Sequence, residues 1–387
     1  RREAEAPTTT RSGRATKRAR YTLSESEEED EAGPSGTEAV PDVRVRPKWK
    51  LRHGRARHAG GYSWLQTARP SFGQYIPQLG DRVAYVPQGH LEYLRWCQMD
   101  AGAAWAALSA RPRAAEPCTV AALAYKLDEG SPNTLATLTL EFAEGPLRGQ
   151  QLQLDLAHPQ EGRPEFVLLW RSYADSQERR LRLGHRCKSF WADDALPEGG
   201  RWWEGTVVAQ SDVSPDWPDS PWECYRVCYA ETGDEVSHSA WELFRLGDRP
   251  LGPQTGPAVS PEVVQRVVRA VSAAVLEEDF AVFADAPHEH LAFEGEGGQM
   301  LFYNTFIPLP FGLQQIIDRC LAGFYRSAEA IAFDARLIAS NAEAFNGAGT
   351  DISRHAQRLA DGLESVARGH SEEILRPRRR APRASAR

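Results

Sequence analysis

The sequence predicts a multidomain chain in which an all-β module precedes an all-α four-helix bundle. Three observations carry that expectation. Between about 75 and 245, short runs of alternating or β-rich residues are broken repeatedly by Gly, Pro, Asp and Ser. After "GDRPLGPQTGPAV" the apolar period changes from two to 3.6 residues. Residues 1–60 are rich in Arg, Glu, Ser, Gly and Ala with few aliphatics, too little apolar surface to offset chain entropy, which predicts a disordered N-terminal tail. At 387 residues, 41% hydrophobic and 26% charged, the chain has the composition of a globular protein with two or three domains.

The β module comes first, over 64–246. In "YIPQLGDRVAYVPQGHLEYL" (75–94), Val83, Tyr85 and nearby apolar positions follow a Gly-Asp turn, a strand signature. Strand-like runs follow in "VAALAYKL", "TLATLTLEF", "QLQLDLA" and "EFVLLW", then in "RCKSFWA", "RWWEGTVVAQ", "WECYRVCYA" and "AWELFRL". Short strands with frequent turns are the pattern of small antiparallel barrels.

A linker over 247–260 leads to the bundle at 261–371. Ser260-Pro261 sets a capping hydroxyl before a first-turn proline, and Val263, Val264, Val267, Val268 and Val271 form one face. The second helix carries Leu313, Ile316, Ile317, Cys320, Leu321 and Phe324. The third carries Ile331, Ala335, Ile338, Ala342 and Phe345, and the fourth Ile352, Ala356, Leu359, Leu363 and Val366. Four amphipathic helices of this kind make a four-helix bundle. The connection from about 281 to 310 exceeds ordinary loop length, which marks it as functional or disordered.

Charge is uneven although the formal net charge is only -7. "KRAR" precedes "SESEEEDE", "RVRPKWKLRHGRAR" follows, and the basic tail at 372–387 ends in "RPRRRAPRASAR". Such clusters point to an intracellular, nuclear chain; solvated tails are the other reading. Six cysteines form no C-x-x-C pair, so reduced structural thiols are expected. No apolar run is long enough to cross a membrane and no signal sequence opens the chain, so neither membrane insertion nor secretion is expected. The first residue is Arg, which suggests a fragment of a longer protein.

Two asparagines at the end of the third helix, Asn341 and Asn346, raise the question of what their carboxamides do. "FAVFADAPHEHLAF", "FYNTFIPLPFGLQQIIDRCL" and "SNAEAFNGAGTDI" together resemble a bromodomain over about 260–370, which implies a left-handed four-helix bundle with a pocket between the long loop and the turn after the third helix. By that resemblance Asn346 donates to an acetyl carbonyl, Tyr303 reaches it through water, Phe283 is the shelf aromatic and Ile352 the gatekeeper. The chemistry agrees, because a neutral acetyl-lysine offers an apolar stem and one amide, and needs an apolar wall and one well-held carboxamide donor. Asn341, further back on the helix, is expected to bond backbone groups of the turn or the long loop. The sequence departs from the family at Ala281-Val282, where Trp-Pro is common, at Gly312, where Asp is usual, in the loop insertion "EGEGGQ", and at His288, a position often apolar.

Upstream, "YIPQLGDRVAYVPQGHLEYL", "FVLLWRSYADSQERRLRLGHRCKS", "WWEGTVVAQ" and "WPDSPWECYRVCYAETGDEVSHSAWEL" are similar to the bromodomain and WD-repeat family over about 64–370. The resemblance implies a cryptic Tudor-like (Tudor/SH3-like barrel) module that reads methylated histone H3 tails, and WD repeats and a second bromodomain in the longer protein. Six of the eleven tryptophans lie between 191 and 241. Laid on a Tudor barrel, Trp191, Trp203 and Tyr229 face one another as a methyl-lysine cage with Asp194 (or Asp193) adding charge. Aromatic faces attract a methylated ammonium through their quadrupoles. Thr232 falls where a fourth aromatic would complete the cage, and Trp202, Trp222 and Trp241 are expected in the core.

The sequence argues against an enzyme. His288 and His290 lack further spaced ligands, so no metal is expected; "GEGGQ" has no phosphate-loop context, so no cofactor is expected; no nucleophile, base and orienting acid assemble. The expectation is a nuclear chromatin reader of acetyl-lysine and methyl-lysine on histone tails or the nucleosome, linked by resemblance to transcription regulation and cell-shape organisation. The alternative is a scaffold with a degenerate bromodomain and basic tails that bind nucleic acid non-specifically.

Overall fold

The computed structural model describes residues 61–370 except 71, 97–101, 103–104, 129–132, 158–164, 193–199, 251–258, 288–290 and 295–299. Expectations for the two tails, for Asp193 and Asp194, and for His288 and His290 lie outside the described residues. A short helix α1 (Ser63–Gln66) leads to β1 (Arg82–Tyr85), α2 (Pro87–Trp96), β2 (Glu116–Leu127), β3 (Thr134–Phe142), β4 (Gln151–Leu156), β5 (Val167–Leu169) and α3 (Trp170–Arg179). Strands β1 to β5 form one antiparallel sheet in the order β4-β3-β2-β1-β5. Period-two patterning explains it: Ala136, Leu138, Leu140 and Phe142 of β3 and Leu152, Leu154 and Leu156 of β4 are buried, while Gln151 and Gln153 face solvent.

A second antiparallel sheet follows, built from β6 (Arg186–Ala192), β7 (Gly200–Gln210), β8 (Tyr225–Tyr229), β9 (Glu235–His238) and β10 (Leu243–Arg245), in the order β10-β6-β7-β8-β9. The last strand returns beside the first after a 3-10 turn at Ala240–Glu242, the strand order of a small Tudor/SH3-like barrel. Leu181, Cys187, Val207, Tyr225, Val227, Val236 and Leu243 make its core.

The bundle is α4 (Pro261–Val275), α5 (Leu313–Leu321), α6 (Ala328–Asn346) and α7 (Asp351–Ala367). The start predicted at Ser260-Pro261 is capped by the Ser260 side chain, which accepts from Val263 N at 3.4 Å; the side chains of Ser327 and Thr350 cap α6 and α7 in the same way, accepting from Ala330 N at 3.1 Å and from Ser353 N at 3.2 Å. Between α4 and α5, the long connection carries 3-10 turns at Ala281–Phe283 and Tyr303–Thr305 and a hairpin of β11 (Ala292–Glu294) with β12 (Met300–Phe302).

Three details differ from the sequence reading. Residues 87–94, read as part of a strand region, belong to α2: Pro87 stands at its first position with φ suited to a helix, while Gly89 and the aromatics hide its propensity. Trp170, read at the end of a strand run, opens α3, whose polar outer face has no apolar stripe to show. Leu321, assigned to the buried stripe of its helix, is 68% exposed, because α5 stops there and the chain turns to bury Phe324 instead.

The two parts share one core. Buried side chains of the first sheet, Trp222, Trp241 and the bundle helices form a single apolar cluster, and Tyr125 of β2 meets Phe333 of α6 with ring centroids 6.0 Å apart. Polar contacts cross the same boundary. Arg326 donates from Nε and an η nitrogen to the two oxygens of Asp81, each at 2.6 Å, and to Ile76 O at 2.7 Å. The Gln78 side chain donates to Phe324 O at 2.8 Å and accepts from Arg326 N at 2.9 Å. Arg319 donates to Asp334 at 2.6 Å and to Leu65 O.

Candidate functional site

At the end of α6 the sequence Phe345-Asn346-Gly347 ends the helix because Gly347 adopts φ 87, a left-handed value that costs an L residue strain. The turn is held from the next helix: Ser353 Oγ donates to Gly347 O at 2.8 Å and Thr350 Oγ1 to the same oxygen at 3.2 Å. Asn346 is therefore fixed at the rim, half-buried, with one amide hydrogen donated to Ala342 O at 2.9 Å and its second N–H available. Asn341 is buried and donates from Nδ2 to Leu309 O at 2.8 Å, so it holds the long connection.

The structure brings Tyr303 to this rim. Its ring lies 4.7 Å from that of Phe345, and its backbone N–H donates to Leu291 O at 2.8 Å. Burial pushes its phenol well above the ordinary tyrosine value, so the hydroxyl stays protonated. Phe283 sits buried in the 3-10 turn after α4, and half-buried Ile352 occupies the first turn of α7; both pack on the bundle core. Beside Phe283, Val282 is 62% exposed. The departure at Gly312 has a steric reason: a Cβ there would stand 2.4 Å from the backbone carbon of Asp285, so the segment Ala284–Ala286 can lie against the start of α5. Gln314 N donates to Ala284 O at 2.8 Å across that approach.

In the second sheet, pairing of Ser189 with Trp203 and of Gly205 with Tyr229 places three aromatic rings together. Trp191 and Tyr229 have centroids 5.6 Å apart at 88°, Trp191 and Trp203 6.4 Å at 58°, and Trp203 and Tyr229 6.4 Å at 79°. Trp191 and Trp203 are half-buried; Tyr229, 3% exposed, forms the floor rather than a wall. The fourth ring is His238 at the end of β9, 6.2 Å from Trp191 and 5.9 Å from Tyr229. Sequence reasoning looked for that member at Thr232, which is exposed, and missed the histidine, whose place opposite Tyr225 is set by strand register that no sequence window shows.

A hydrogen-bond chain locks these rings. Trp191 Nε1 donates to Ser189 Oγ at 2.8 Å, Ser189 Oγ and Tyr229 OH share a hydrogen bond of 2.6 Å, and Tyr229 OH meets His238 Nε2 at 2.5 Å. Glu242 lies 3.6 Å from His238 Nδ1. Burial pushes the Tyr229 phenol up to about 12, so it remains neutral in this chain. The guanidinium of Arg201 lies 3.4 Å from the Trp203 ring centroid. A ligand cation on Trp203 thus takes its opposite face or displaces Arg201. Trp222 and Trp241 are buried, and half-buried Trp202 packs with Phe72, Phe190 and Phe244.

Among the described residues no group of His, Cys, Asp and Glu is placed to hold a metal ion, and no helix is long and apolar enough to cross a membrane. Cys118, Cys187, Cys224, Cys228 and Cys320 are free thiols.

Two family profiles match: one described as a BRWD/PHIP ancillary domain-like domain over residues 73–250, and the bromodomain over 299–358. A bromodomain and WD repeat-containing protein of Dictyostelium discoideum is 34% identical over 77 residues, 19% of this chain and 4% of the relative's own length. The SAWADEE domain of Arabidopsis thaliana SHH1 aligns with 35% of this chain and 90% of its own at 14% identity, with a TM-score of 0.14, too low to bear on the fold. Both matched domains are reader domains and support a chromatin-reader role. With the ancillary-type match followed by the bromodomain match in this order, the chain is similar to BRWD/PHIP-type proteins.

Proposed function

We propose that this chain is a nuclear, non-enzymatic reader that binds acetyl-lysine on histone tails through the rim formed by Asn346, Tyr303, Phe283 and Ile352. In this reading the β module at 64–246 contributes a second site, where Trp191, Trp203 and Tyr229, with Asp194, take a methylated lysine. What carries the first assignment is Asn346, fixed at the end of α6 with an N–H to offer, beside the ring pair of Tyr303 and Phe345. What supports the second is the set of crossed rings around a hydrogen-bond chain, with a cation already stacked on Trp203. Two weak sites on one body raise avidity when both marks are within reach on one nucleosome.

The test is titration of the chain with unmodified, acetylated and methylated histone-tail peptides at two salt concentrations. Preference for the modified peptides that survives added salt is expected. Binding that ignores modification and falls steeply with salt would instead be the counterion release of a scaffold that holds nucleic acid through basic tails. For the cage, Trp203→Ala is expected to weaken methylated-peptide binding by roughly two- to thirtyfold, the equivalent of about 0.5–2 kcal/mol for a cation on an aromatic face. Unchanged affinity with a lowered melting temperature would make Trp203 a core residue only.

A further inference from the structure

The segment Ile307-Pro308-Leu309-Pro310-Phe311 links the Tyr303 turn to α5, and two of its five residues have no N–H to bond with. Its geometry rests on its carbonyls. Three successive ones each accept from a different side chain: Pro308 O from Thr134 Oγ1 at 2.5 Å, Leu309 O from Asn341 Nδ2 at 2.8 Å, and Pro310 O from Gln66 Nε2 at 2.5 Å. Only Asn341 belongs to the bundle. Gln66 ends α1 and Thr134 opens β3, so two of the three anchors come from the β module.

We infer that Gln66 and Thr134 are positioning residues of the bromodomain pocket: the β module holds the loop that sets Tyr303 against Phe345 and the Asn346 rim. The inference rests on the acetyl-lysine reading of that rim. Thr134 is fully buried, and its hydroxyl meets a carbonyl 174 residues away, a contact no local folding preference would create. Tyr303 O in turn accepts from Phe306 N at 3.1 Å and Ile307 N at 3.0 Å, so the anchored strip is continuous with the turn that carries the pocket tyrosine. With the donors removed, the carbonyls of Pro308 and Pro310 lose their partners, and the strip relaxes toward other arrangements. Pocket affinity then falls by the fraction of molecules whose loop is out of place.

The experiment uses the full chain and three variants: Thr134→Val, Gln66→Ala/Thr134→Val, and Thr134→Ser, which keeps the hydroxyl. Each is titrated with peptides carrying one acetyl-lysine beside unmodified controls, and amide hydrogen exchange is followed without ligand. The double variant is expected to lose roughly fivefold or more in acetyl-peptide affinity. Its amides at 306, 307, 309 and 311 should exchange faster while those of α6 and α7 keep their rates, and Thr134→Ser should restore both readouts. Wild-type affinity in the double variant overturns the inference, whether or not the loop exchanges faster. So does acceleration spread evenly over the bundle, which would mean general destabilisation. Should the wild-type chain bind no acetylated peptide, the acetyl-lysine reading fails by itself, and loop exchange alone decides whether Gln66 and Thr134 hold the strip.

Discussion

Asn341 and Asn346 lie five residues apart on α6 and differ in what surrounds their carboxamides. The first is buried against Leu309 O and holds the loop; the second stands at the rim, where only its own helix uses one of its hydrogens. On the acetyl-lysine reading proposed above, Asn346→Ala removes the donor to the acetyl carbonyl and is expected to cost about 1–3 kcal/mol of binding, roughly five- to a hundredfold in Kd. Asn346→Asp should do equal or greater harm, since an ionised carboxylate offers only acceptors to an acceptor. Titration with acetylated peptide beside melting curves checks both, because the loss should appear in affinity with little change in Tm. The loop-holding place of Asn341 was legible in sequence from its position on the helix, and the position of Asn346 at the helix end from the Gly that follows it. His238 was not, because nothing local in "EVSHSAWEL" says that its ring closes onto Trp191 across two intervening strands.

Elements with a clean period were readable, and those whose faces are set by long-range packing were not. Helix α4 starts where Ser260-Pro261 says it should, and α6 and α7 follow their apolar stripes, whereas α2 shows no stripe because what it buries is partly polar. His90 on α2 is 2% exposed, stacked on Phe166 at 5.0 Å, with its Nδ1 2.8 Å from Tyr85 OH. Burial disfavours its charged form and lowers its pKa to about 4 from an ordinary 6.5. The unfolded chain therefore binds more protons than the folded one between these values. The stability this neutral histidine contributes is fully present above pH 6.5 and is lost as pH falls through about 4, an effect of about 3 kcal/mol. Urea unfolding from pH 7 down to 4 should show that loss in the wild type, and a shallower slope in His90→Gln. Identical slopes would mean that His90 is already solvated when folded.

At the scale of the whole molecule, the order of β module and bundle was legible from the change of period, but the joint between them was not. It is built from pairs such as Asp81 and Arg326, 245 residues apart, whose partnership no sequence window contains. Both side chains are nearly inaccessible, at 3% and 5%, and Asp81 also accepts from Tyr75 OH and Gln78 N at 2.9 Å. Asp81→Ala leaves a buried guanidinium without its carboxylate, which typically costs about 3–5 kcal/mol, while replacing both partners by apolar residues removes the buried charge as well. Asp81→Leu/Arg326→Met is therefore expected to recover the part of the Asp81→Ala loss that comes from the uncompensated guanidinium, but not the part from Tyr75 OH and Gln78 N, which lose their acceptor in both. No tryptophan follows Trp241, so tryptophan fluorescence reports the β module while far-ultraviolet circular dichroism weighs the helices. If the shared core makes one cooperative body, both probes give coincident curves in the wild type and shift together in Asp81→Ala. A bundle signal that keeps its midpoint while the fluorescence transition moves would show two domains that merely touch. The β module would then have no lever on the bromodomain loop through this joint.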